Sequence, residues 1–131
     1  MTEISSSSAP PTDRKWLQCN GQQLRKMAHA GLLWLEQNHE KVNALNVFPV
    51  PDGDTGTNML LTMRSAYKQI QDNTTSSVGK MAGDLSYGAL MGARGNSGVI
   101  LSQIWRGLAK SLKGKETFNA DDLADALQQA A

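Results

Sequence analysis

Ser97-Gly-Val-Ile-Leu-Ser-Gln-Ile-Trp-Arg-Gly-Leu-Ala-Lys-Ser-Leu112 places Ile100, Leu101, Ile104, Trp105, Leu108 and Leu112 at intervals of one, three and four. That period belongs to an amphipathic helix with one buried face. The same pattern extends outward in both directions. Toward the C-terminus, Gly114 is a stop, and Asn119 opens a further helix with Asp122 at the capping-box position. Leu123, Ala126, Leu127 and Ala130 lie behind it. Toward the N-terminus, Val78, Met81, Ala82, Leu85 and Ala89 mark a third helix, and Met59, Met63, Ala66, Tyr67 and Ile70 mark a second, from about Asn58 to Ile70. A first helix starts at Asn20, whose capping-box partner is Gln23. It carries Leu24, Met27, Ala28, Gly31, Leu32 and Leu35, and Asn38 and His39 are expected to end it. Val47-Phe-Pro-Val50 is interrupted by proline, so no strand is expected. The expected class is all-α, a helical barrel or bundle.

The 131 residues suffice for one domain, with 40% hydrophobic and 19% charged residues. A formal charge of +1 excludes a general binder of phosphate backbones, so no nucleic-acid partner is expected. Trp16, Trp34 and Trp105 are expected to pack rather than stack on bases. One cysteine, Cys19, and two distant histidines, His29 and His39, offer no zinc-ligand spacing. Residues 1–19, rich in serine and proline, are expected to be a disordered tail, with the helical domain covering 20–131. The chain has no secretory signal and no stretch apolar enough for a membrane span, so a cytoplasmic location is expected. The fifth helix reaches Ala131 without a cap, and the domain is expected to be incomplete here.

Two loops interrupt the helical pattern. The first runs Asn46-Val-Phe-Pro-Val-Pro-Asp-Gly-Asp-Thr-Gly-Thr-Asn58. Asp52 and Asp54 flank Gly53, and a turn at glycine lets two carboxylates reach one point. Hard anionic oxygens suit Mg²⁺. The helix after this loop presents N–H groups without intrahelical partners, an anion site to which Thr55, Thr57 and Asn58 can add donors. The second loop is Gly92-Ala-Arg-Gly-Asn-Ser-Gly98. Its glycines permit close approach to a ligand, Asn96 and Ser97 can cap the next helix and bind phosphate, and Arg94 can offset its charge. Taken singly, the first loop reads rather as a surface turn feeding a helix, and the second as a helix–helix connection whose glycines allow close packing. Neither a Walker-type nor a dinucleotide fingerprint is present.

Asn43 to Met59 together with Gly92 to Gln103 resembles the nucleotide-binding domain of the fatty acid kinase family, a DhaL-like domain related to the L subunit of dihydroxyacetone kinases. The resemblance covers roughly residues 20–131. It implies an all-helical barrel with ATP and Mg²⁺ held at one end. By that likeness Asp52 and Asp54 are metal ligands, and Asn46 stands near a further aspartate of the dihydroxyacetone kinases. Thr55, Gly56, Thr57 and Asn58 then contact nucleotide, and Gly95, Asn96, Ser97 and Gly98 form the second phosphate loop. The implied reaction is transfer of the γ-phosphoryl group to a fatty acid carboxylate held on a partner carrier protein. Pro51, Thr55 and Asn46 depart from the sugar-kinase pattern. Dihydroxyacetone as acceptor, a non-catalytic nucleotide-binding module and a purely structural helical domain are the alternatives. No catalytic base is assigned.

Overall fold

The structure is a computed structural model that describes residues 18–46 and 52–130. Five helices succeed one another: α1 (Gly21–Leu45), α2 (Thr55–Ile70), α3 (Val78–Met91), α4 (Gly95–Leu112) and α5 (Ala120–Ala130). Among the described residues there is no strand, only a single antiparallel bridge between Cys19 and Phe118. The molecule is all-α. No described helix is long and apolar enough to cross a membrane.

Each helix packs on the next in sequence, and α2 also touches α4 while α1 touches α3. Neighbours run antiparallel, as local contacts establish. The start of α1 meets the end of α2, where Gln22 Nε2 donates to the Asn73 and Thr75 carbonyls at 2.9 and 2.8 Å. The end of α1 meets the start of α2 through Asn43 and Thr57. Consequently the N-termini of α2 and α4 lie at one end of the bundle, and the N-terminus of α3 with the C-terminus of α4 lies at the other.

α3 is the core element. Val78, Met81, Leu85 and Ala89 are fully buried, as its sequence pattern predicts. Ile70 and Ala66 of α2 pack with them. Capping matches the sequence closely at two places. Asn20 and Gln23 form the capping box of α1. Asn119 Oδ1 accepts from Asp122 N–H at 2.8 Å, while Asp122 Oδ2 accepts from Asn119 N–H at 3.0 Å.

Several expectations need correction. α1 does not end at Asn38 and His39 but continues to Leu45. Asn38 Nδ2 donates to the Trp34 carbonyl at 2.8 Å and His39 Nδ1 lies 2.9 Å from the Glu36 carbonyl oxygen, so both side chains bond back along the helix instead of stopping it. α2 begins at Thr55 and α4 at Gly95, each a few residues earlier than periodicity indicates. Ile100 and Ile104 are 61% and 37% exposed, because the buried face of α4 is turned toward Ser102 and Leu108. Ser102 tolerates that burial by donating to the Val99 carbonyl at 2.7 Å. Leu127 and Trp34 are also exposed, whereas Trp105 is half-buried with Nε1 3.1 Å from Met63 Sδ. Gln18 and Cys19, which composition assigns to the tail, belong to the fold. Cys19 exchanges two backbone bonds with Phe118, and Thr117 Oγ1 donates to Gln18 Oε1. The rest of the expected tail, Trp16 and the stretch Val47–Pro51 fall outside the described residues.

Two glycines on one turn of α3 make a direct test of this packing. A Cβ on Gly79 would stand 2.7 Å from the Leu112 carbonyl oxygen and 3.0 Å from Gly114 N, so α3 and the end of α4 would have to separate. A Cβ on Gly83 would meet nothing within 4 Å. Gly79→Ala is therefore expected to lower stability and Gly83→Ala to raise it by about 0.5–1 kcal/mol, the cost of an interior helical glycine. Ile70→Ala should cost about 2–5 kcal/mol. Urea titrations of the three variants check these values, and a shift of equal sign for both glycines would contradict the stated packing.

Candidate functional site

The site is assembled where the end of α1 meets the starts of α2 and α4. Asn43 lies in the last turn of α1, and Asn46 is the C-cap that follows it. Asn43 Oδ1 accepts from Thr57 N–H at 3.0 Å, and its Nδ2 donates to Thr57 Oγ1 at 2.9 Å. Asn46 Oδ1 accepts from Asp54 N–H at 3.2 Å and Thr55 N–H at 3.3 Å. The N-cap of α2 is Asp54, which makes no side-chain cap bond of its own. Two asparagines from the preceding helix thus do the capping that a local Ser, Thr or Asp ordinarily does. The close approach relies on Gly56, where any Cβ would run into the His39 carbonyl.

This arrangement changes what the first loop offers. The N–H groups at the start of α2 were expected to point outward, yet those of Thr55 and Thr57 are already bonded to Asn46 and Asn43. The carboxylates remain available. Asp52 and Asp54 are exposed on either side of Gly53, whose φ of +67° suits glycine and disfavours a side chain. Neither carboxylate is in an ion pair among the described residues. Two adjacent hard oxygen donors at the surface are a donor set that Mg²⁺ can use with water and phosphate oxygens completing its shell. Among the described residues, no three His, Cys, Asp or Glu side chains cluster.

α4 presents the barer N-terminus. Its N-cap is Arg94, which provides no side-chain cap bond. Asn96 and Ser97, expected as caps, lie inside the helix instead. Asn96 is exposed, and Ser97 Oγ donates to the Thr55 carbonyl at 3.2 Å, joining the two loops directly. Gly95 adopts φ +65°, and a Cβ there would collide with the Asn58 side chain. Gly98 lies against Thr62, again with no room for a Cβ. Residues 55–58 and 95–98, far apart in sequence, are therefore packed against one another.

The residue that locks this packing is not conspicuous in the sequence. Thr62 is completely buried. Its hydroxyl donates to the Asn58 carbonyl at 2.8 Å and accepts from Arg94 N–H at 3.1 Å. Its signal is a threonine inside an otherwise apolar stripe, four residues after Asn58. Asn43 is equally readable only as the partner of Asn46 in an Asn-x-x-Asn pair, whose use depends on where α2 folds. His29, read as non-catalytic, stacks on Tyr67 with ring centroids 4.6 Å apart, remote from both loops in the chain.

Residues 49–131 match the DAK2 domain family. Protein YloV of Bacillus subtilis is 52% identical over 109 residues. Uncharacterized proteins of Staphylococcus haemolyticus and Staphylococcus aureus are 47% and 46% identical over the same length. Each match takes in 83% of this chain and 20% of the relative, so the chain spans about one fifth of the length of these curated relatives. With the helical fold and the two abutting loops, the match over most of the chain settles its kinship: it belongs to the DAK2 domain family, the kinase-related helical domains of the DhaL type.

Proposed function

We propose that this domain binds ATP with Mg²⁺ and serves phosphoryl transfer to a fatty acid carboxylate presented by a separate carrier protein. The observation that supports it most is the junction of the two loops. Ser97 Oγ bonds the Thr55 carbonyl, so the N-terminus of α4 lies beside the Asp52–Asp54 turn. The N–H groups of Gly95, Asn96 and Ser97 would hold phosphate oxygens, and the exposed Arg94 would balance their charge. Asp52 and Asp54 would hold the metal, which when bound supplies charge neutralisation between phosphate groups. Asn46, with its amide oxygen on the α2 backbone, keeps that turn in place. Thr55 to Asn58 would complete the nucleotide contacts.

Magnitudes show why all these parts are needed. A helix N-terminus contributes about 0.3–1 kcal/mol to a nearby anion, against about 8 kcal/mol for micromolar affinity. A carboxylate acceptor needs no general base, since it is ionised at neutral pH. Positioning and charge stabilisation are then the protein's main contributions. An acceptor on a carrier also suits the interior of the bundle. The apolar cavity bounded by Leu24, Met63, Trp105 and Phe118 holds about 200 Å³. That is below the roughly 300–1,000 Å³ of ordinary small-molecule pockets.

Three outcomes are expected with the full-length parent protein. Asp52→Asn and Asp54→Asn should each weaken Mg²⁺-dependent ATP binding in calorimetry while circular dichroism stays unchanged, and intact affinity in both would sink the metal assignment. Asn43→Ala removes the cap of α2 and should cost about 0.5–2 kcal/mol of stability, read from the denaturation midpoint. Given ATP and Mg²⁺, the parent should phosphorylate a fatty acid loaded on its carrier. Efficient transfer to dihydroxyacetone, with none to the loaded carrier, would overturn the acceptor and leave nucleotide binding standing.

A further inference from the structure

At the end of the bundle away from the two loops, a groove of about 580 Å³ runs between the start of α3 and the last turns of α4. Lys80 of α3, Arg106 and Lys110 of α4 and Lys113 at the C-cap of α4 line it, with Asp84 as its one carboxylate. All five are exposed. Positions 106 and 110 share one face of α4, and Lys113 follows as its C-cap. Among the described residues, Lys80, Lys110 and Lys113 are in no ion pair. Arg106 donates to Gln103 Oε1 at 3.4 Å, and the Asp84 carboxylate is occupied by Asn73 Nδ2 at 2.7 Å. Four cations against one carboxylate therefore leave the groove with an excess of positive charge, on a chain whose formal net charge is only +1.

The groove also has an unusual floor. Gly83 lies in the middle of α3, exposed, with nothing within 4 Å of where its Cβ would be. Packing inside the chain does not require a glycine here, although an interior helical glycine costs about 1 kcal/mol relative to alanine. Its absent side chain leaves helix backbone accessible beside the cations of α4, with Lys80 and Asp84 on its own helix. Ala109 and the methylene stems of the lysines supply apolar sides.

We propose that this groove docks an acidic polypeptide segment of a partner protein. Unpaired cations over a two-turn length complement carboxylates spaced along a peptide, and the bare floor at Gly83 lets a peptide backbone approach closely. A nucleic acid fits less well, because no aromatic side chain lines the groove to stack on bases. A bilayer surface fits less well, because the lining has no large apolar side chain to insert.

The test uses the chain in low salt with a fluorescein-labelled poly-glutamate peptide, read by anisotropy. Single-stranded DNA and phosphatidylserine vesicles are the comparison ligands. The peptide is expected to bind, to weaken at least tenfold in Lys110→Glu/Lys113→Glu, and to weaken comparably in Gly83→Leu, which keeps every charge and fills the floor. Both variants should retain helix content, since all three positions are exposed and the space over Gly83 is open. No peptide binding, unchanged binding in Gly83→Leu, or tighter binding of DNA or vesicles than of peptide would each overturn the proposal.

Discussion

One hydroxyl group holds together the end of the bundle where the two loops meet. Thr62 Oγ is buried where water cannot reach it, so its donor and acceptor capacities must both be met by protein. It meets them with the Asn58 carbonyl of its own helix and the Arg94 N–H of the next loop. The penalty for leaving such a group unpaired, about 1–3 kcal/mol, opposes separation of the start of α4 from α2. The absence of a Cβ on Gly98 admits the hydroxyl, and the absence of one on Gly95 admits Asn58. The register between two loops distant in sequence rests on these few contacts.

A similar economy operates between α1 and α2. Helix starts carry N–H groups that need acceptors. At α2 the last turn of α1 supplies them through Asn43 and Asn46. Asp54 is thereby released from capping, and its carboxylate stays exposed beside that of Asp52. At α4 no side chain caps the N-cap position. The two starts are thus unequal. One presents carboxylates over N–H groups of Thr55 and Thr57 that are already bonded, and the other presents backbone N–H groups. A metal-bound polyphosphate needs both kinds of surface side by side.

The two ends of the bundle differ in electrostatic character. The end with the abutting loops combines exposed aspartates with a bare helix start. The opposite end gathers the unpaired cations of α3 and α4 around Gly83. Nearby, Lys115 finds a carboxylate, 3.6 Å from Asp122 Oδ1. The helices separate these surfaces, so substitutions on one can be made without disturbing the other.

Periodicity alone determined that the chain is helical, because an apolar stripe every three to four residues cannot be buried by a strand. It also placed α3 and its buried residues correctly, and capping chemistry located the starts of α1 and α5. These features are local: each depends on residues within one or two turns. The aspartates and glycines of the two loops were legible for the same reason, since their turn geometry and chemistry are written in short stretches. Tertiary structure decided the rest. Which face of α4 turns inward depends on the neighbours it meets, and so Ile100 and Ile104 lie outside while Ser102 lies within. Whether Asn38 and His39 stop a helix or bond back into it depends on whether residues 40–45 find a helix to pack against. The roles of Asn43, Thr62 and Ser97 required partners at separations of 14, 32 and 42 residues. A hydrogen bond across such a distance has no signature in either segment, because only packing of the helices brings donor and acceptor together.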